Sequence, residues 1–135
     1  MTIAINKQGK GALAVDITGV ASTDSGAQGA LANPEGVSVI ILRSTLYIRA
    51  KSTGAANLGI GIAADAVTKA TDILNDLAMG GVAAGEVYNG STIQPTAKTQ
   101  ITAPAVWTTD KYLTLTGSAT LAGLDATLYL EYIRA

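Results

Sequence analysis

Two stretches of alternation dominate the chain. Between Val37 and Lys51, Ile40, Leu42, Leu46, Ile48 and Ala50 share one side, while Arg43, Thr45, Tyr47, Arg49 and Lys51 fall mostly on the other. From Leu124 to the last residue, Ala135, the residues Leu124, Ala126, Leu128, Leu130 and Tyr132 alternate with Asp125, Thr127, Tyr129 and Glu131. Side chains two positions apart on a strand point the same way, so both stretches predict long, half-buried strands.

Shorter signals fill the rest. Leu13, Val15 and Ile17 alternate with Ala14, Asp16 and Thr18, between Gly9, Gly11 and Gly19 and the polar stretch Ser22 to Gly29. Asn33-Pro34-Glu35-Gly36 predicts a turn, because proline presets φ and glycine accepts a positive one. Residues 1–36 carry too little apolar surface to fold alone and read as an extended N-terminal arm laid on another surface, the competing reading being a mobile terminus. Residues 37–135 form the domain proper. After a turn at Ser52-Thr53-Gly54, Leu58, Ile60 and Ile62 predict a short strand. Over 68–79 the spacing changes: Ile73, Leu74 and Leu77 fit one helical face, Thr71 or Asp72 can cap it and Gly80-Gly81 can end it, predicting one to two turns of helix. A turn at Tyr88-Asn89-Gly90 follows, then short strands at Thr99–Ile101, Ala105–Trp107 and Tyr112–Thr116, broken by Pro104 and Thr109-Asp110-Lys111. Residues 117–123 make the last connection. The sum is an all-β fold: an antiparallel jelly-roll-like β-sandwich with one short helix and an extended N-terminal arm.

Composition sharpens this picture. Phe is absent, and the apolar 48% rests on Ala, Val, Ile and Leu with one Trp and five Tyr, which suits a thin, closely packed sandwich. Charged residues make up only 14% and the net charge is −1, so there is no clustered basic surface for nucleic acid or an anionic membrane. The first ten residues lack the apolar run of a signal peptide, and nothing approaches the ~18 apolar residues of a bilayer span. Synthesis and solubility in a cytoplasm are therefore expected.

Candidate chemistry is sparse. With no His and no Cys, the usual general base, zinc ligand and thiolate nucleophile are all missing, and the hydroxyls have no evident activating partner, so the chain is not expected to be an enzyme. Gly59-Ile60-Gly61 loosely matches a dinucleotide-binding turn, but no parallel βαβ unit accompanies it. Glycine alternating with isoleucine also suits a strand lying against another backbone. Asp65, Asp72, Asn75 and Asp76 lack the ordered spacing of a calcium loop and fit helix capping better. No cofactor and no metal are expected. Aromatics with a polar handle are enriched at interfaces. Trp107 is assigned to the core, whereas Tyr47 and Tyr129, on the polar sides of their strands, are candidates for a protein- or sugar-binding surface.

The runs Asn33-Pro34-Glu35-Gly36-Val37, Leu46-Tyr47-Ile48, Ser52 to Leu58, Gly61 to Asp65, Asp72 to Leu77, Gly80 to Gly85, Val87-Tyr88-Asn89, Leu121 to Leu124 and Leu128 to Ile133, taken together, resemble small decoration or cement proteins of tailed-bacteriophage heads. That resemblance covers about 100 residues and implies a jelly-roll domain, attachment to the outside of the virion, the major capsid protein as partner, and a homo-oligomer, a trimer in particular. It also implies a stabilising role at capsid contacts and no catalytic residues. Residues expected at partner interfaces are Leu13, Val15, Ile17 and Pro34 in the arm and Tyr47 and Tyr129 on the domain. The alternative is a receptor- or carbohydrate-binding module of a head or tail fibre.

Overall fold

A computed structural model describes Ile3 and residues 9–19, 26–89 and 105–135. The expected strand Thr99–Ile101, Gly90 of the expected turn, Pro104 and residues 22–25 lie outside the described residues.

Among the described residues, nine strands form two antiparallel sheets. They are β1 (Lys10–Thr18), β2 (Gly29–Ala32), β3 (Val39–Ala50), β4 (Asn57–Ala63), β5 (Leu74–Ala78), β6 (Val87–Asn89), β7 (Ala105–Trp107), β8 (Tyr112–Gly117) and β9 (Asp125–Arg134). One sheet runs β1-β9-β3-β6, with β7 pairing β3 beside β6; the other runs β2-β8-β4-β5. Counting β6 and β7 as one interrupted strand, the described strands follow the order of a jelly roll: four to a sheet, successive strands changing sheet except at the β4–β5 pair, with the last strand inserted between the first and third. The expected sandwich is present. Residues 10–18 and 29–32 of the 1–36 segment are edge strands, paired within the chain to β9 and β8 respectively.

The core is the space between the sheets. β9 contributes Ala126, Leu128, Leu130 and Tyr132 and β3 contributes Val39, Ile41, Leu46 and Ile48. Leu58 and Ile60 face them from β4, Leu74 and Leu77 from β5, and Leu113 from β8. Trp107 is buried as expected, its indole N–H donating to the Lys111 carbonyl at 3.0 Å. A buried indole without such an acceptor would be costly.

Two of the expected element assignments change, each through a β-bulge. The helix predicted over 68–79 is absent: residues 74–78 are β5, and the only helical element among the described residues is a 3₁₀ turn at Met79–Gly81. β5 pairs β4 with Leu77 opposite Leu58 and Leu74 opposite Ile60, so three residues of β5 span two of β4. The extra residue puts both leucines on the core face at a spacing of three, which mimics a helical stripe, and Asp76 takes φ 54° within the irregularity. In β3, Ile41 opposes Tyr132 while Arg43 opposes Glu131, leaving Leu42 as the extra residue. The inward set is therefore Val39 and Ile41 before the bulge and Ser44, Leu46 and Ile48 after it, and Leu42, expected inside, is 54% exposed.

Candidate interaction surface

None of the described strands packs on the outer face of the β1-β9-β3-β6 sheet, and register decides what it displays. Tyr129 of β9 lies between Ala14 of β1 and Thr45 of β3. Tyr47 of β3 lies between Thr127 of β9 and Val87 of β6. The two tyrosines, 37% and 48% exposed, are thus diagonal neighbours across the β3–β9 seam. Among the described residues eight large apolar side chains stay exposed, and five of them (Leu42, Tyr47, Val87, Val106 and Tyr129) stand on this sheet. A single exposed leucine means little; a collection on one sheet face makes that face a candidate interaction surface.

Charges frame the patch in two columns. β3 carries Arg43 and Arg49. Opposite them β9 carries Glu131 and Asp125, with Asp16 beyond on β1. Arg43 Nε lies 3.7 Å from Glu131. Arg49 is the extra residue at the second irregularity of β3, between Ile48 and Ala50, and its Nε and Nη2 donate to Asp125 Oδ1 at 3.0 and 2.6 Å. Arg49 also donates to the Ala126 carbonyl (3.0 Å) and to Thr127 Oγ1, whose own hydroxyl donates to Asp16 at 2.7 Å. The hydrogen bonds with Asp125 raise the Arg49 pKa, and the same bonds hold the Asp125 carboxyl below its ordinary value. Such solvent-facing pairs add little stability. Their effect is to fix guanidinium and carboxylate groups in place across an otherwise apolar face.

A second cluster ties the 33–36 turn to the end of β9. Glu35 accepts from Tyr132 Oη at 2.5 Å and from Arg134 Nε at 2.7 Å, and the Arg134 guanidinium lies 5.7 Å from the Tyr132 ring centre. The Arg134 bond, then the Tyr132 bond, keep the Glu35 carboxyl below its ordinary pKa; burial, then Glu35, push the Tyr132 phenol up. Asn33 completes the turn, donating to the Val37 and Trp107 carbonyls at 2.9 Å each and accepting from Glu35 N–H at 2.8 Å.

The structure separates the six residues expected at interfaces. Tyr47 and Tyr129 come together on the outer face. Pro34 is exposed on its turn, outside the strands that carry them. Leu13 and Val15 are half-buried against the core and Ile17 is buried in it, all three on the inward side of β1. Val15 and Ile17 line, with Ile60, Leu113 and Leu115, the flank of an open cleft of about 280 Å³ between edge strands β1 and β2. Leu42, Val87 and Val106 were not foreseen on the surface. The pattern Ala105-Val106-Trp107, read with Trp107 inside, already places Val106 outside. Leu42 required knowledge of the bulge.

The glycines and acidic residues that suggested chemistry have structural work instead. A Cβ on Gly61 would sit 2.2 Å from Asp72 Oδ1 and 2.6 Å from the Ala70 carbonyl carbon, so the 64–73 loop lies directly on β4, as the backbone-packing reading required. Asp72 Oδ1 accepts from the Ile62 N–H at 2.7 Å, Asp65 accepts from the Val67 and Thr68 N–H groups, and Asp76 faces Lys69 at 3.4 Å. No helix among the described residues is long and apolar enough to cross a membrane.

The sequence matches no protein-family model and no curated protein. Among solved structures, a chain in the capsid of Ralstonia phage GP4 superposes with a TM-score of 0.58 at 15% identity, over all of this chain and 92% of that one. A chain in the capsid asymmetric unit of cyanophage Pam1 superposes with a TM-score of 0.51 at 17% identity, again over all of this chain and 92% of that one. At these identities the likeness is one of fold: the jelly roll described above is shared, end to end, with chains found in two phage capsids.

Proposed function

We propose that this chain is a structural virion protein that binds the outside of a phage capsid as a decoration or cement protein and stabilises contacts between major capsid protein subunits. The observation that carries the reading is the full-length match of fold to chains from two phage capsids, in which no part of either partner is left over beyond a small fraction. The sequence supports it from another side, since a chain without His or Cys offers little for catalysis, while an apolar, charge-framed sheet face suits holding onto a neighbour. In this reading the 1–36 segment reaches capsid subunits, with Pro34 at its exposed turn, and the sandwich associates with further copies of itself.

Sedimentation with purified capsid shells lacking this protein tests the proposal. Saturable co-sedimentation, together with a rise in the temperature at which the shells lose their contents, is expected. A chain that stays in the supernatant at all shell concentrations contradicts it. The fibre-module alternative draws on the Tyr47–Tyr129 pair, an aromatic platform of the kind that stacks on sugars. Glycan binding in the absence of shell binding would favour that reading.

A further inference from the structure

We propose that the outer face of the β1-β9-β3-β6 sheet packs against the same face of a second copy of this chain, related by a two-fold axis that runs along the strands through the β3–β9 seam. This deepens the homo-oligomer reading above, setting its order at two where the resemblance implies three. It does not depend on capsid attachment, so its failure leaves shell binding untouched, and the reverse holds too.

The face is self-complementary. A closed pair of identical chains must join one patch to itself, with residue i meeting j wherever j meets i. Rotation about an axis along the seam lays β3 of one copy over β9 of the other without shifting it along the strand. Register then dictates the contacts. The second copy's Arg43 comes over Glu131, because those two positions are already opposite within one sheet, and its Arg49 comes beside Asp125, whose register partner is the next residue, Ala50. The basic column of each copy thus meets the acidic column of the other, making four-charge clusters at both ends of the seam. Like columns would instead repel if the copies were rotated about an axis across the strands, since that operation sets β3 against β3.

Shape follows the same symmetry. The second copy's Tyr129 lies over Thr45, a smaller residue, and its Tyr47 lies over Thr127 and the Arg49 guanidinium that covers it, where an aromatic face finds a cation. Its Ile40 lies over Ile133, both half-buried in the single chain. Its Leu42, lifted out of β3 by the bulge, comes over β9 between the positions of Glu131 and Tyr132. That is the site of an open hollow of about 450 Å³ lined by Lys10, Gly11, Ala12, Leu42, Glu131 and Tyr132. The bulge thereby supplies both a projecting side chain and, by symmetry, a place for it. β6 falls opposite β1, with the second copy's Val87 over Asp16 and the small Ala14 beside it.

The area is adequate. The strands of this face have 9, 10, 12, 3 and 3 residues, which at about 3.3 Å along the strand and about 4.8 Å across it give roughly 590 Å² per copy. Two such faces bury about 1,200 Å², at the lower end of the size of specific, stable protein–protein interfaces.

Light scattering coupled to size exclusion tests this at about 50 µM, well inside the range that interfaces of this size reach. Wild-type chain is expected to run at twice its 13.6 kDa mass. The variant Arg43→Glu/Arg49→Glu has an all-acidic seam and Asp125→Lys/Glu131→Lys an all-basic one. Each alone is expected to dissociate at least tenfold more readily, and an equimolar mixture is expected to form the mixed pair. Restoration on mixing separates contacts between copies from the pairs within one chain, which both variants lack equally. Because the chain has no cysteine, Tyr129→Cys provides a second probe that leaves the charges intact: a short bis-maleimide is expected to cross-link it to a dimer, while Val67→Cys, exposed on the 64–73 loop, stays monomeric. A monomeric wild type, a dimer unmoved by the charge variants, or cross-linking no better at 129 than at 67 would each overturn the proposal.

Discussion

Substituting Gly61 by alanine tests how the 64–73 loop is held on the sandwich, and with it the reading of Gly59-Ile60-Gly61 as packing rather than as a ligand turn. The added Cβ would stand 2.2 Å from Asp72 Oδ1, 2.6 Å from the Ala70 carbonyl carbon and 2.7 Å from the Thr71 nitrogen. Ordinary contacts begin near 3.4 Å, and two of the three atoms are backbone, so the loop must move by about 1 Å rather than a side chain rotate away. That movement works against the Asp72–Ile62 bond at 2.7 Å and the neighbouring Ile73 N–H to Ile60 carbonyl bond at 3.0 Å. Overpacking costs about 1–3 kcal/mol and one weakened hydrogen bond about 1 kcal/mol, giving a loss of roughly 2–4 kcal/mol. For a chain of this length, 1 kcal/mol corresponds to about 3–4 °C, so the melting temperature should fall by about 6–16 °C. The control is Gly54→Ala, whose Cβ meets nothing closer than Thr120 at 3.9 Å and which should melt within about 2 °C of wild type. Circular dichroism melts of the three proteins decide it. Equal melting of Gly61→Ala and Gly54→Ala would refute the packing account of these glycines.

Three further outcomes are expected. Leu58→Ala removes a fully buried side chain near the start of β4 and should cost about 2–5 kcal/mol in urea unfolding without changing the slope. Gly123→Ala puts a Cβ at φ 87° and 2.9 Å from Thr53 Cγ2, so it should destabilise by about 1–3 kcal/mol in the same assay. Glu35 and Asp125 have folded-state pKa values below their unfolded ones, so their stabilising effect is present above the ordinary carboxylate range and lost as pH falls through it. Between pH 5 and pH 3 the melting temperature of the Glu35→Gln/Asp125→Asn variant should therefore fall less steeply than that of wild type, from a lower starting point. A parallel fall would show that these two carboxylates carry none of the acid sensitivity.

Much of this architecture was legible because a strand writes its burial every second residue. β9 reads correctly from Ala126 to Tyr132, and Trp107 reads as core. Legibility failed where a strand carries an extra residue. The bulge in β5 spaced Leu74 and Leu77 like a helix, and the bulge in β3 moved Leu42 from core to surface. Neither has a glycine or proline to announce it, since each arises from the length of the partner strand, which is distant in sequence. The surface was half legible for the same reason. Tyr47 and Tyr129 stand out as aromatics on polar sides, but their adjacency depends on the β3–β9 register, and the inward turn of Leu13, Val15 and Ile17 depends on the pairing of β1 with β9.

The most direct test of the central claim is the copy number of this chain in purified virions, measured by quantitative mass spectrometry against the major capsid protein. The account predicts a number comparable with that of the major capsid protein. A handful of copies per particle would place the chain at a fibre or tail position instead, and its absence from virions would contradict the structural role altogether.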